Sequence, residues 1–292
     1  MRIFSILFIS CILLQGCIQD NNTNNNTSDA PIELKLNFKP GVKYTYLNET
    51  TDTMGVPGMN KEMSINTNII LANTYSIIPV SNTKKIDFSF DRVIIKSPAG
   101  EYNSEDTFGG LKVLNGLKKQ MHVRRSAVMN DKGDITDIKT EAITDTANLD
   151  AFNSISMFND DAIKSSLKYY FDIYPGKLIK LGERWTKNIV FNIASVNTTI
   201  PVEFRLITAN NGIAHIEMTS DIKNISDSTS HSIMQFMNMK GTLSGTMDMD
   251  ISSGLITDYT QTTHLTGSMN INTQELPATI ISNIHVTGKE VK

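Results

Sequence analysis

The chain has 292 residues, with 27 Lys and Arg against 30 Asp and Glu, a formal charge of −3 and 40% hydrophobic residues. So even a balance gives no basic excess for nucleic acid. The two cysteines, Cys11 and Cys17, both lie near the N-terminus, so the remaining chain has no thiol for a disulfide, a zinc site or a nucleophile.

In chain order, the first element is a short apolar run. Arg2 precedes Ile3 to Leu14, a stretch interrupted only by Ser5, Ser10 and Cys11. Crossing a bilayer takes about 20 apolar residues, so this run, with its basic start, predicts an export signal over residues 1–16. Leu14-Gln15-Gly16-Cys17 resembles the lipobox of bacterial lipoproteins. The resemblance implies cleavage before Cys17 and acylation of that residue; a simple secretory signal cut elsewhere is the alternative. Each buried CH₂ of an acyl chain contributes about 0.8 kcal/mol, so several chains anchor a protein durably. Residues 17–31 are then the lipidated cysteine and a tether of mostly Asn, Gln, Thr and Ser, which cannot collapse and holds the strand-rich body on the order of 20 Å from the lipid surface. Ile18 and Gln19 stand where enterobacteria place the Asp that marks inner-membrane retention, which favours the outer membrane.

Past the tether the hydrophobic period is two. Strands are predicted over 34–38, 42–50, 62–80, 85–96, 187–196, 201–208, 212–224 and 278–287. From Met237 to Ile251 the odd positions read Met, Met, Gly, Leu, Gly, Met, Met, Ile, and the even ones are polar. That pattern is a long antiparallel strand with one buried face. Ser252-Ser253-Gly254 then turns the chain, and Leu255 to Ile271 returns with Leu255, Tyr259, Leu265, Met269 and Ile271 on one side. Helical patterning is confined to two places. Asp160 to Ile173 starts acidic, carries Ile163, Leu167, Tyr170 and Phe171 on one stripe and stops at Pro175-Gly176. Asp106 to Gln120 has Leu111, Leu114 and Leu117 but also Gly109, Gly110 and Gly116.

Two stretches repeat in the same order. "PGVKYTY" at 40–46 matches "LGERWTKN" at 181–188, and "NDKGDITDI" at 130–138 matches "ISSGLITDY" at 251–259, both holding Gly-x-Ile-Thr-Asp. The interval from Gly41 to Gly133 exceeds that from Gly182 to Gly254, which places an insertion in the first copy, around 97–120. The fold expected is mainly β: two related antiparallel-sheet halves, half-barrel or sandwich-like, over 32–141 and 177–292, with a helical connection at 142–176.

Chemistry-bearing motifs are absent: no Gly-rich phosphate loop, His-Glu-x-x-His, Gly-x-Ser-x-Gly or Cys-x-x-Cys. His122, His215, His231, His264 and His285 are scattered, with no local metal pair. No catalytic residue, metal or cofactor is predicted, and the protein is expected not to be an enzyme. "DMDISSG" at 248–254 alternates oxygen ligands but lacks the Gly and Glu positions of a calcium loop, leaving solvent-facing acids before a turn. Trp185 stands where the repeat has Tyr44, which reads as a packing requirement of both halves. Met237, Met239, Met247, Met249 and Met269 gather in the last third. Flexible thioethers suit an adaptable surface for apolar ligands, and they equally suit a closed core; both readings stay open.

The lipobox, polar tether, strand-rich halves and Gly-x-Ile-Thr-Asp hairpins together resemble a group of uncharacterised lipoproteins of Bacteroidota. Asp52-Thr53-Met54, Asp145-Thr146-Ala147 and Asp227-Ser228-Thr229 resemble the O-glycosylation acceptor pattern of that phylum. A looser likeness is to lipoprotein-carrier half-barrels, where a curved antiparallel sheet holds an acyl chain beneath helices. These resemblances imply an envelope lipoprotein joined to the membrane by its acyl chains. On that expectation its Met-rich face binds an apolar molecule such as lipid, or its sheet meets an envelope protein.

Overall fold

Alternation along the chain translates into a sheet with one wet and one dry face. The computed structural model describes residues 30–56, 63–98, 100–106, 115–130, 135–140, 160–193, 196–225, 234–271 and 274–291. The elements are β1 (Ile32–Glu33), β2 (Lys43–Val56), β3 (Met63–Val80), β4 (Thr83–Ser97), β5 (Gly100–Asn103), α1 (Asn115–Gln120), β6 (Arg125–Asn130), β7 (Ile135–Thr140), α2 (Asp160–Phe171), β8 (Leu178–Ile179), β9 (Arg184–Ile193), β10 (Val196–Asn210), β11 (Ile213–Ile225), β12 (Met234–Asp250), β13 (Ile256–Ile271) and β14 (Gln274–Val291). The protein is mainly β and antiparallel.

Except for β1 and β8, which pair with each other, all strands join one open sheet in the order β7-β6-β4-β3-β2-β14-β13-β12-β11-β10-β9, with β5 beside β4. Strands before α2 occupy one side of this order and those after β8 the other. The joint between them is β14 against β2, in continuous register from Thr279 opposite Gly55 to Val291 opposite Lys43. Both ends of the order, β7 and β9, pack against α2, so the sheet curls around that helix without closing on itself.

Each copy of the repeated opening folds alike. Val42 N donates to Lys39 O at 3.2 Å, and Glu183 N to Lys180 O at 3.0 Å. Gly41 and Gly182 occupy the third position of these two turns, both at φ 77°, the positive φ that a type II turn requires there. The aromatic three residues later, Tyr44 or Trp185, is buried in β2 or β9.

Several strand bounds differ from the sequence pattern, mostly by greater length, because ladder bonds extend past the alternating stretch. One segment departs in kind. Residues 34–38 alternate as expected, with Leu34, Leu36 and Phe38 buried, but only residues 32–33 pair as a strand. The rest runs as an extended strap whose Asn37 N donates to Ser253 O at 2.7 Å. Gly254, at φ 74°, turns directly beneath it: a Cβ there would lie 2.2 Å from Lys35 O. Of the other helical stretch, Asp106 lies in a turn, its N donating to Asn103 O at 3.1 Å, Asn115–Gln120 is helical, and residues 107–114 lie outside the described residues. The turn expected at Gly133 and the stretch 141–159 of the helical connection lie outside the described residues, as do residues 1–29 with Cys17.

Candidate functional site

α2 has twelve residues, too few to hold as an isolated helix in water. It is fixed by burial: Ile163, Leu167, Tyr170 and Phe171 are all at most 2% exposed, each contributing about 1.5–3 kcal/mol on leaving water. Two walls receive them. On one side Tyr46 stacks on Tyr170 with centroids 5.1 Å apart, and Tyr75 meets Phe171 edge-on at 5.5 Å. On the other, Tyr169 meets Tyr259 edge-on at 5.8 Å. Beyond the helix, Trp185 stacks on Phe204 at 5.4 Å and donates Nε1–H to Ile173 O at 2.8 Å. Lys187 Nζ reaches Asp172 Oδ1 at 3.0 Å, tying the helix end to β9. The cleft between α2 and the sheet, lined by Tyr169, Tyr170, Val202, Phe204, Met218 and Met247 among others, keeps about 10 Å³ of space, room for at most one water.

Of the methionines singled out in the sequence, Met239, Met247, Met249 and Met269 are all at most 3% exposed, and Met247 also lines the cleft. Met237 lies in β12, with a side chain outside the described residues. Met218, not singled out by its sequence position, lines the cleft as well.

Polar groups also face inward, where the alternation predicts only apolar ones. Tyr169 Oη, Tyr259 Oη and Gln261 Oε1 lie in a triangle of hydrogen-bonding contacts, with Tyr169 to Gln261 at 3.0 Å; the two phenol protons serve two of its three sides at a time. Gln261 Nε2 donates to Thr263 Oγ1 at 3.0 Å, and Asn48 Nδ2 donates to Tyr170 Oη at 2.9 Å. Register extends the row: Thr263 lies opposite Ser282, and Ser282 opposite Asp52. Burial pushes the Tyr170 hydroxyl up to about 12 and those of Tyr169 and Tyr259 well above the usual phenol range. Burial also raises the Asp52 carboxyl, opposed by a hydrogen bond from Ser282. The signal was present in the sequence: Gln261 and Thr263 sit between Tyr259 and Leu265 on the inward parity of β13.

The outward face is different in character. His215 Nδ1 pairs with Asp248 Oδ1 at 2.6 Å, and His285 Nε2 with Asp258 Oδ1 at 2.8 Å. All four side chains are partly exposed. Among the described residues no three His, Cys, Asp or Glu side chains gather to hold a metal ion. In the 248–254 segment Asp250 Oδ1 instead accepts from Ser253 N at 2.8 Å and Ser253 Oγ at 2.7 Å, which caps the turn and lowers its carboxyl pKa against the opposing effect of burial. Shallow depressions on this face are lined mainly by Thr, Ser, Glu and Asp. No helix among the described residues is long and apolar enough to cross a membrane.

Among solved structures, one titled "Lipid-protein interactions in lipovitellin" is similar in fold, with TM-score 0.53 and 13% identity over 86% of this chain and 25% of that one. This chain therefore spans about a quarter of that protein's length. An outer membrane channel from Pseudomonas putida F1 aligns over 86% of this chain and 97% of its own, at TM-score 0.21 and 6% identity, too low for a shared fold to be drawn from it. No curated protein matches the sequence. The model of DUF6263, a family of unknown function, matches residues 81–256, from β4 through β12 and more than half of the chain, and the protein belongs to that family.

Proposed function

We propose that this protein is a non-enzymatic lipoprotein of the bacterial cell envelope, of the Bacteroidota type, anchored through acyl chains on Cys17, and that its curled sheet accepts an apolar ligand such as a lipid in place of α2. The observation that carries this reading is α2 itself. A short helix lies against the dry face, packed on both edge strands of an open sheet, and its withdrawal uncovers an apolar trough. The fold likeness to a chain titled for its lipid interactions supports the reading. Ile18 and Gln19, where enterobacteria place the Asp that marks inner-membrane retention, favour outer-membrane placement.

A second reading, an assembly lipoprotein presenting its sheet to an envelope protein, is favoured by one fact: with α2 in place the interior is filled. Hydrogen exchange separates the two. A fluorescent fatty acid added to the carrier binds and raises amide exchange across residues 160–171. No binding, with no lipid found by mass spectrometry on the purified protein, removes the carrier reading. Palmitate labelling that persists in Cys17→Ser removes the anchor.

A further inference from the structure

Resting on the carrier reading, the row of inward polar groups points to what kind of lipid would fit. Asn48, Gln261 and Tyr259 hold hydrogen bonds with Tyr170 and Tyr169 of α2. Thr263, Ser282 and Asp52 continue the row across β13, β14 and β2. When α2 withdraws, Asn48 Nδ2 loses its acceptor and Gln261 Oε1 one of its two partners, while Tyr259, Gln261 and Thr263 keep one another. An apolar chain laid over Asn48 would leave a buried donor unpaired, and that penalty exceeds what a satisfied hydrogen bond contributes. We infer that the ligand which replaces α2 is a lipid with an uncharged hydrogen-bonding head, of the hydroxyl, ester or amide kind, seated on the Asn48–Gln261–Asp52 row with its chain on the Met218–Met247 side.

A free fatty acid fits less well. Its carboxylate would approach the Asp52 carboxyl in a partly buried setting, where like charges repel more than in water. A plain hydrocarbon fits least, because it offers the row nothing. An uncharged glyceryl head offers both donors and acceptors, which the mixed character of an amide, a phenol and hydroxyls requires.

The test uses the full chain carrying Cys17→Ser, so that no acyl chain of its own competes, with bound N-phenyl-1-naphthylamine displaced by one of three lipids of equal chain length at pH 8. Monooleoylglycerol is expected to displace the dye at about tenfold lower concentration than octadecene, with oleate between them. In Asp52→Asn, checked for folding by circular dichroism, oleate gains on monooleoylglycerol. Equal displacement by all three, or a reversed ranking while the dye still binds, overturns the head-group inference and leaves the carrier reading standing. A dye that does not bind overturns the carrier reading, and this inference with it.

Discussion

The two walls that hold α2 are built from one topology and unlike materials. The wall before α2 is aromatic: Tyr44, Tyr46, Tyr75, Phe88 and Phe90 are all at most 4% exposed, and several touch as stacked or edge-on rings. After α2 the wall carries Met218, Met239, Met247, Met249 and Met269 among branched aliphatics. Rings have few rotamers and interlock, so removing one leaves a hole its neighbours cannot fill. Thioethers bend to fill gaps. One side therefore sets where α2 lies, and the other can repack if α2 leaves.

Four measurements break or sharpen this contrast. Tyr46→Ala or Tyr75→Ala is expected to cost about 3–5 kcal/mol, as for other large aromatic truncations in cores, read by denaturant unfolding. A loss equal to that of a Met substitution would erase the distinction. Gly254→Ala sets a Cβ against Lys35 O at positive φ, for which about 1–3 kcal/mol is expected. Because Gly254 lies on the Met side and the strap inserts Phe38 against Tyr44, with centroids 3.9 Å apart, proteolysis within residues 30–38 should rise in the same variant. Met247→Leu keeps volume on the soft wall and should cost under about 1.5 kcal/mol; a larger loss would mean that this wall is as exacting as the other.

The smallest effect concerns Asp52, between the walls. Its carboxyl is raised by burial, so the folded state keeps that proton to higher pH than the unfolded one. The associated stability is full below the unfolded value, about 4, and declines as pH climbs through the folded value. Asp52→Asn removes the decline. The variant should match the parent near pH 3 and melt slightly higher at pH 7, and a parent that melts higher at pH 7 would reverse the assignment.

Much of this architecture was legible in the sequence because period two is a local signal. The parity of β12 and β13 predicts the dry face, and the stripe from Ile163 to Phe171 predicts α2. Pairing of β2 with β14 was not legible, since two strands more than two hundred residues apart leave no local trace of their partnership. The strap reads as a strand in the sequence because buried alternation marks any extended segment packed on a core, whether or not its backbone joins a ladder. The polar row was half visible: Gln261 and Thr263 break the apolar parity of β13, but Tyr169, which meets Gln261, and Tyr170, which meets Asn48, arrive from α2, and only the fold brings them together.

The joint of β14 and β2 orders events in time. Because β14 follows every other strand along the chain while β2 precedes nearly all, the middle of the sheet cannot zip until synthesis has reached its last strand. The earlier side is meanwhile left with a raw central edge. Such a body leaves its two sides unjoined until the end, which would suit the export proposed for this chain.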